Sequence, residues 1–349
     1  MTAAGRVVLR RRSLRCGRCG LTAYPLDDRI GLDGFLSPQA TRLACLAAAT
    51  WSFDVASDRL DELAGVRIDD ETIRRYCHKA AEALAERRDA APPKATFTAA
   101  EGEVEFLTDG VMAPTLDGWR ELKMGLFLKR PLGDPAEPED WAERELPAPT
   151  ASAAYAAVAD CESFSARWGP RAEALGIDPS GPLTVLGDGA EWIWRAATTQ
   201  FPAAFQVLDI FHAAQHVASA ASALYGEGTT AATAWTEGGR RALLADGWPG
   251  LLDHIGATPT EVRTAAGQAG IDELIGYFAK HTERLGYYGR LRSGRSIGSG
   301  GVESLARRMG RRLKVAGRGW CADNLDGMAA LIAAVDTPEW AALWTRTAA

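Results

Sequence analysis

Glu103-Val-Glu-Phe-Leu-Thr-Asp-Gly110 is the stretch at which the chain changes character. Val104 and Phe106 alternate with Glu103 and Glu105, the two-residue period of a strand that buries one face. Leu122, Met124, Leu126 and Leu128 repeat that period. Further on, Leu183-Thr-Val-Leu186 and Phe205 to Leu208 are apolar runs of buried-strand length. Residues 131–149 read as a Pro-rich loop, Ala151 to about Trp168 as a helix, and residues 212 to about 288 as helix nearly throughout. Strands interleaved with helical segments predict an α/β fold, a mixed sheet covered by helices. The pattern by itself leaves several α/β folds open.

Upstream of this stretch the periodicity is helical. Leu36 to Trp51 is rich in Ala and Leu, with Ser37 and Pro38 where an N-cap and a first helical residue belong. Val55 to Leu63 makes a shorter helix that stops at Gly65. The acids of Asp69-Asp-Glu-Thr72 suit a helix start, and Ile73, Tyr76, Cys77, Ala80 and Leu84 follow at helical spacing. Arg74, Arg75, His78 and Lys79 then face outward. Two helices joined by a short Gly-containing turn, the second basic near its start, are the pattern of a helix-turn-helix; an ordinary helical hairpin fits it as well. Residues 91–101, which begin Ala-Pro-Pro-Lys94, read as a linker.

At 349 residues, 47% hydrophobic and 24% charged, the chain has material for two or three structural units around a substantial core. No stretch approaches ~20 uninterrupted apolar residues, so no membrane span is expected. Residues 1–18 carry Arg6, Arg10, Arg11, Arg12, Arg15 and Arg18 but no apolar segment, unlike a secretory signal. Six scattered cysteines suit a reducing compartment, and the cytoplasm is the expected location. The net charge of −6 argues against a nucleic-acid partner only on average. Basic residues gather in positions 1–18 and again from Arg307 to Arg318, where Arg307, Arg308, Arg311, Arg312, Lys314 and Arg318 are expected to face no acid.

Three acids stand out. Asp109 follows the first strand in Phe106-Leu-Thr-Asp-Gly110, and Asp188 holds the same kind of place in Val185-Leu-Gly-Asp-Gly189. Either Asp-Gly pair alone is ordinarily a turn, and Glu303 alone would be an acid near a helix start. Together, two carboxylates at strand ends and a third from a distant helix form an oxygen cage for a hard cation such as Mg²⁺.

Four segments carry a family resemblance: Leu107-Thr-Asp-Gly-Val111, Leu186-Gly-Asp-Gly-Ala-Glu-Trp-Ile-Trp194, Leu208-Asp-Ile-Phe-His212, and Ser299-Gly-Gly-Val-Glu-Ser304 running through Arg312-Leu-Lys314 to Gly317-Arg-Gly-Trp320. In order and spacing they resemble the bacterial insertion-sequence transposases of the ISKra type, which have an Asp-Asp-Glu catalytic core. The resemblance spans nearly the whole chain. It implies a ribonuclease-H-like core at 102–211 and 296–349, a helical insertion at 212–295, a helix-turn-helix-like DNA-binding region at 31–90, and the remnant of a zinc-ribbon-like basic segment at 1–30. Asp109, Asp188 and Glu303 would be the catalytic residues, holding two Mg²⁺ or Mn²⁺ ions for cleavage and strand transfer. Asp209 and His212 match an acid-x-x-His motif of related groups, the Mutator-like transposases among them, with a supporting role implied. The implied partners are DNA, as element ends and target, and further copies of the chain in a homo-oligomer.

Cys16-Gly-Arg-Cys19 would, by the resemblance, be half of a zinc ribbon; the earlier Cys pair that the resemblance implies is not in the sequence, as expected of either a truncated start or a lost ribbon, which leaves zinc two ligands short. Cys45 and Cys77 fall at apolar helical positions and read as small hydrophobes. His212 and His216 lie four apart on one helix face, but Ala213 stands where a zinc protease has its Glu. On a helix from Val302 to about Ala316, Arg307, Arg311 and Lys314 share a face suited to phosphates, and Arg318, Arg74 and Arg75 are further DNA candidates. Trp192, Trp194 and Trp320 read as packing. Two rival readings stay open, a domesticated relative that binds DNA without cutting and a ribonuclease-H-like nuclease without strand transfer. A metabolic α/β enzyme lacks support, because no Gly-rich phosphate loop occurs.

Overall fold

The computed structural model describes residues 1–32, 34–87, 94–315, 317, 319–335 and 337–344. A small hairpin of β1 (Leu14–Arg15) and β2 (Thr22–Ala23) leads through α1 (Pro25–Ile30) to α2 (Pro38–Thr50), α3 (Phe53–Ala64) and α4 (Asp70–Arg87). The Ser37 hydroxyl caps α2 by accepting from Ala40 N, with Pro38 next in line as expected. On α4 the buried stripe is Ile73, Tyr76, Cys77, Ala80 and Leu84, while Arg74, Arg75 and Lys79 face solvent. His78, expected to point outward, is half-buried.

The expected linker is in part structured. Its residues 91–93 lie outside the described residues, but Lys94–Ala99 form a short helix, α5. Phe97 anchors it in the core, and Lys129 donates to the carbonyls of Thr98 and Ala100 at its end. A single buried aromatic outweighs the Pro-rich entry, which is the physical reason for the difference.

The main sheet has five strands: β3 (Glu103–Thr115), β4 (Gly118–Arg130), β5 (Ala151–Val158), β6 (Thr184–Gly187) and β7 (Phe205–Leu208). Their spatial order is β5-β4-β3-β6-β7, with β4 antiparallel to both neighbours and β3, β6 and β7 parallel. Helices α6 (Cys161–Ser165), α7 (Trp168–Ala174) and α8 (Glu191–Gln200) lie between the later strands. After β7 come α9 (Ile210–Tyr225), α10 (Thr230–Gly256, kinked at Gly247 ahead of Pro249), α11 (Ala265–Phe278) and α12 (Tyr287–Arg292). The chain then returns to the sheet with α13 (Gly300–Leu313), α14 (Ala322–Ala334) and α15 (Pro338–Trp344).

Three expectations need correction. Residues 151–158 form a strand, not the start of a helix. Alanine's helix preference yields here because its small side chains let α14, buried on nearly every side, lie close on β5. The carboxylate of Asp326 on α14 accepts from Val158 N at 2.9 Å and fixes that contact. Secondly, β3 does not end before Asp109: β4 pairs with it from Glu103 to Thr115, whereas β6 pairs only from Glu105 to Leu107. Asp109 therefore sits just past the end of the β6 pairing, where β3 is flanked by β4 alone and β4 in turn by β5. Thirdly, Glu105 is buried rather than solvent-facing, held by Arg130 at 3.3 Å and by the Ser296 hydroxyl. β3 is a central strand covered on both faces, so it has no wet side at that point.

The two faces of the sheet are packed differently. On one, Phe106, Phe127, Trp168 and Phe201 form an aromatic cluster, with ring centroids 4.6 Å apart for Phe106 and Phe127 and 4.7 Å for Phe106 and Trp168. On the other, α13 descends onto Leu107, Leu126 and Leu128 at Gly301, where a Cβ would lie 3.2 Å from the Leu126 side chain. No described helix is long and apolar enough to cross a membrane.

Candidate active site

The parallel register that pairs Leu107 with Leu186 runs, two residues on, into Asp109 and Asp188. The acids emerge side by side where β6 ends. Asp109 is half-buried, and its carboxyl is held above the ordinary range, first by burial and then by the negative charges of Asp188 and Asp209. The N–H of Gly110 and the neighbouring His212 pull the other way. Asp109 Oδ1 accepts from Gly110 N at 2.7 Å, and Asp188 Oδ1 from Ala190 N at 3.0 Å. Among the described residues no donor reaches either Oδ2. Two crowded carboxylates, each with an oxygen to spare, suit a hard divalent cation.

The Asp188 loop is gripped from the helical segment. Tyr277 of α11 donates its hydroxyl to the backbone carbonyl of Asp188 at 3.0 Å. Gly189, at φ 97°, faces the same hydroxyl so closely that no Cβ would fit. The Gly-Asp-Gly sequence thus answers to a contact as well as to a turn. The Tyr277 ring stacks on His216 of α9 with centroids 3.6 Å apart. Sequence reasoning missed Tyr277, because nothing local separates it from any core aromatic and its partner is 89 positions away. One face of His216, read as half of a possible metal pair with His212, is taken by that stack.

Asp209 is fully buried and fully engaged. Its Oδ1 accepts from the backbone N of Phe211 at 2.6 Å and of His212 at 3.4 Å, capping α9. Its Oδ2 accepts from Ser299 N at 2.7 Å and from the Ser299 hydroxyl. Ser299 is the N-cap residue of α13, so one carboxylate ties the start of the His212 helix to the start of the Glu303 helix. Ile210 N to Ile297 O, 3.0 Å, continues the tie. Asp209 is a positioning residue in this arrangement, with no oxygen left to offer an ion.

Glu303 lies in the first turn of α13, about a half-turn past Gly301, so it leaves the helix on the side away from the Leu107 contact that Gly301 makes. Its carboxylate turns along its own helix to Arg307 at 3.1 Å. Arg307 therefore does face an acid, contrary to the expectation for the basic stretch. Among the described residues no three His, Cys, Asp or Glu side chains converge on one point. The fold brings Asp109 and Asp188 together, whereas Glu303 keeps to its exposed pair with Arg307 and is not joined to them.

The remaining candidates sort by exposure. Arg307, Arg311 and Lys314 are exposed and continue the row that Glu303 begins, while Val302, Leu305, Met309 and Leu313 bury the opposite stripe. Arg312 is buried: its Nε donates to Ala48 O, and its guanidinium lies 4.8 Å over Phe53 and 5.1 Å over Trp320, so it fastens α13 to the N-terminal helices. Arg318 lies outside the described residues. Arg74 pairs with Glu71 at 2.7 Å, and Arg75 is exposed beside the Tyr76 ring. Cys16 and Cys19 share the β1–β2 turn, where backbone N–H groups of Cys19 and Arg18 hold the Cys16 thiol below its ordinary value. Cys45 and Cys77 are buried, as expected of small hydrophobes, and so is Trp194, while Trp192 and Trp320 are half-buried. Compared with known proteins, the chain matches no protein-family model and no curated protein.

Proposed function

We propose that the chain is a DNA transposase that cuts and joins strands at the ends of an insertion sequence, with Asp109, Asp188 and Glu303 as its metal-holding residues. The observation that carries this reading is the pairing of Asp109 with Asp188 at the mouth of adjacent parallel strands, on the sheet face where the Glu303 helix begins. A meander of three strands followed by two parallel ones, with a helical segment inserted before α13, is compatible with the ribonuclease-H-like core that the resemblance implies.

The donor set is all carboxylate oxygen, which fits Mg²⁺ or Mn²⁺. Such ions would supply activation of the nucleophile and charge neutralisation around phosphorus. The chain's own residues do the positioning. Tyr277 fixes the backbone of Asp188, and Asp209 fixes the entry of α13. The Glu303–Arg307 pair is solvent-exposed and worth at most about 1 kcal/mol, so it yields readily to a stronger partner for either member. Arg307, Arg311 and Lys314 then offer a cationic track to the DNA backbone, starting at the acid. In the first reaction the oxygen of water attacks the scissile phosphorus and a 3′-hydroxyl leaves; in the second that 3′-hydroxyl attacks a target phosphodiester and displaces the target's 3′-oxygen. Neither step needs a protein nucleophile. Holding two DNA ends calls for at least a dimer.

The test is incubation of end-labelled DNA carrying the element's termini with Mg²⁺ or Mn²⁺ and either the wild-type chain or Asp188→Ala. Joined product that requires the metal and vanishes in the variant supports the proposal. Cut but never joined ends would favour a nuclease, and binding without cleavage, unchanged by the substitution, a DNA-binding regulator.

A further inference from the structure

We propose that a cleft beside Asp188, between α8 and α11, holds a single unpaired nucleotide of the DNA strand being processed; this rests on the transposase reading for the identity of the strand. The cleft has a volume of about 870 Å³ and begins at Gly189, the residue after Asp188. That is ample room for one nucleotide by the usual size of ligand sites.

Its lining combines what a nucleotide needs. Tyr277 and His216, stacked on each other, supply an aromatic wall, which His281 extends with its ring 4.9 Å from that of Tyr277. A flat base has a π-face to lay against such a wall whatever its identity. Lys280 and Arg195 are exposed, and among the described residues neither is in an ion pair. They stand ready for the phosphate. Arg284 adds a third cation, its guanidinium 4.7 Å over the Trp194 ring, so cations outnumber the two acids, Glu191 and Glu273, that share the cleft. Trp194, 4% exposed, lines the cleft under the Arg284 guanidinium.

A paired base cannot enter a pocket of this kind, because its faces are stacked and its edge is used. The ligand class is therefore an unpaired nucleotide, and its natural source is a strand whose scissile phosphate lies at Asp188, one residue away. A free mononucleotide has the same chemistry and must be told apart by experiment.

The decisive experiment measures binding in EDTA, where no cleavage intervenes, using three probes: a short duplex with one unpaired 2-aminopurine, the same duplex fully paired, and free 2-aminopurine mononucleotide. The wild-type chain should bind the unpaired duplex roughly 5- to 100-fold tighter than the paired one, the usual worth of one base–aromatic stack, with quenching of the 2-aminopurine. Lys280→Ala, on an exposed side chain that folding does not need, should lose several-fold of that preference, and His216→Ala most of it. Equal affinity for the two duplexes overturns the proposal, as does quenching by the free mononucleotide alone. Because the readout needs no catalysis, a preference for the unpaired base in a chain that never cuts DNA would uphold the cleft while the transposase reading fell, and cutting without that preference would do the reverse.

Discussion

Replacing Asp209 should cost more stability than replacing either carboxylate proposed to hold metal. Its side chain is 1% exposed and accepts four hydrogen bonds, from the N of Phe211, the N of His212, and the N and Oγ of Ser299. Loss of the α9 cap is worth about 1 kcal/mol. The two bonds to Ser299 end on a charged acceptor, at about 1.5 kcal/mol each, and cutting them strands a buried N–H. Allowing for non-additivity, Asp209→Ala should destabilise by roughly 3–5 kcal/mol, a fall in Tm on the order of 10 °C for a unit of this size. Asp209→Asn keeps an oxygen for the cap but turns an amide N–H₂ toward Ser299, whose backbone offers only a donor; about half the loss should remain. Ser299→Ala removes one bond and should cost about 1 kcal/mol. Thermal unfolding followed by circular dichroism gives the totals, and trypsin cleavage at Arg295, just ahead of the tie, reports its local opening. If Asp209→Ala unfolds within about 1 kcal/mol of wild type, or leaves Arg295 as protected as before, then the carboxylate does not hold α13 in place and the argument fails.

Three further outcomes follow from the same geometry. Asp109 binds its proton more tightly in the folded chain than in the unfolded one, so its contribution to stability falls as pH rises from the ordinary carboxylate range through its raised value. Asp109→Asn should therefore raise Tm in EDTA and abolish the rise that Mg²⁺ or Mn²⁺ gives wild type, which is about 2.7 kcal/mol at an ion concentration 100 times Kd; an unchanged metal response in scanning fluorimetry counts against the site. His281, pushed down to about 4 by burial and by Arg284 and Lys280, stays neutral in the fold while the unfolded chain takes up its proton, so stability is lost as pH falls from about 6.5 toward 4. His281→Gln should flatten that part of the pH–stability curve, and an identical slope in the variant would show the loss to lie elsewhere. Arg312→Ala should destabilise by about 2–4 kcal/mol through lost packing and an orphaned Ala48 carbonyl, whereas Arg311→Ala and Lys314→Ala should leave Tm nearly unchanged and each lower the salt dependence of DNA binding by about one counterion, read from affinity against salt.

What the chain discloses before folding depends on whether a segment's pattern has a single cause. The strand residues 122–128 and 184–187 are legible because burial alone sets them. The α4 stripe from Ile73 to Leu84 is legible for the same reason. Residues 151–158 are not, since alanine there answers to the approach of α14 and to nothing local. Glu105 misleads because its burial depends on Arg130 and Ser296, which only the sheet and the return of the chain bring near. At the candidate site Asp109 and Asp188 are visible as a repeated strand-then-Asp-Gly pattern, but the split of duties in Asp209-Ile-Phe-His212 is not. A buried acid that caps one helix and clamps another has the same letter in the sequence as one that binds an ion.

The long separation between Asp188 and Glu303 raises the question of how a helical segment of that size keeps both in register. Loop-closure cost grows only as the logarithm of length, about 0.6 kcal/mol per doubling, so length itself is a small burden. What matters is that the segment leaves and re-enters at one place. It departs at Ile210, whose N–H bonds Ile297 O, and comes back at Ser299, which Asp209 holds. With both ends pinned beside β7, the placement of α13 does not depend on how α10 kinks or how far α11 extends. Tyr277 is the exception, because its bond to the Asp188 carbonyl carries any displacement of α11 into the loop that presents the acid. A cleft that binds its ligand against Tyr277 therefore acts on the same lever: occupancy between α8 and α11 bears directly on where the Asp188 carboxylate points.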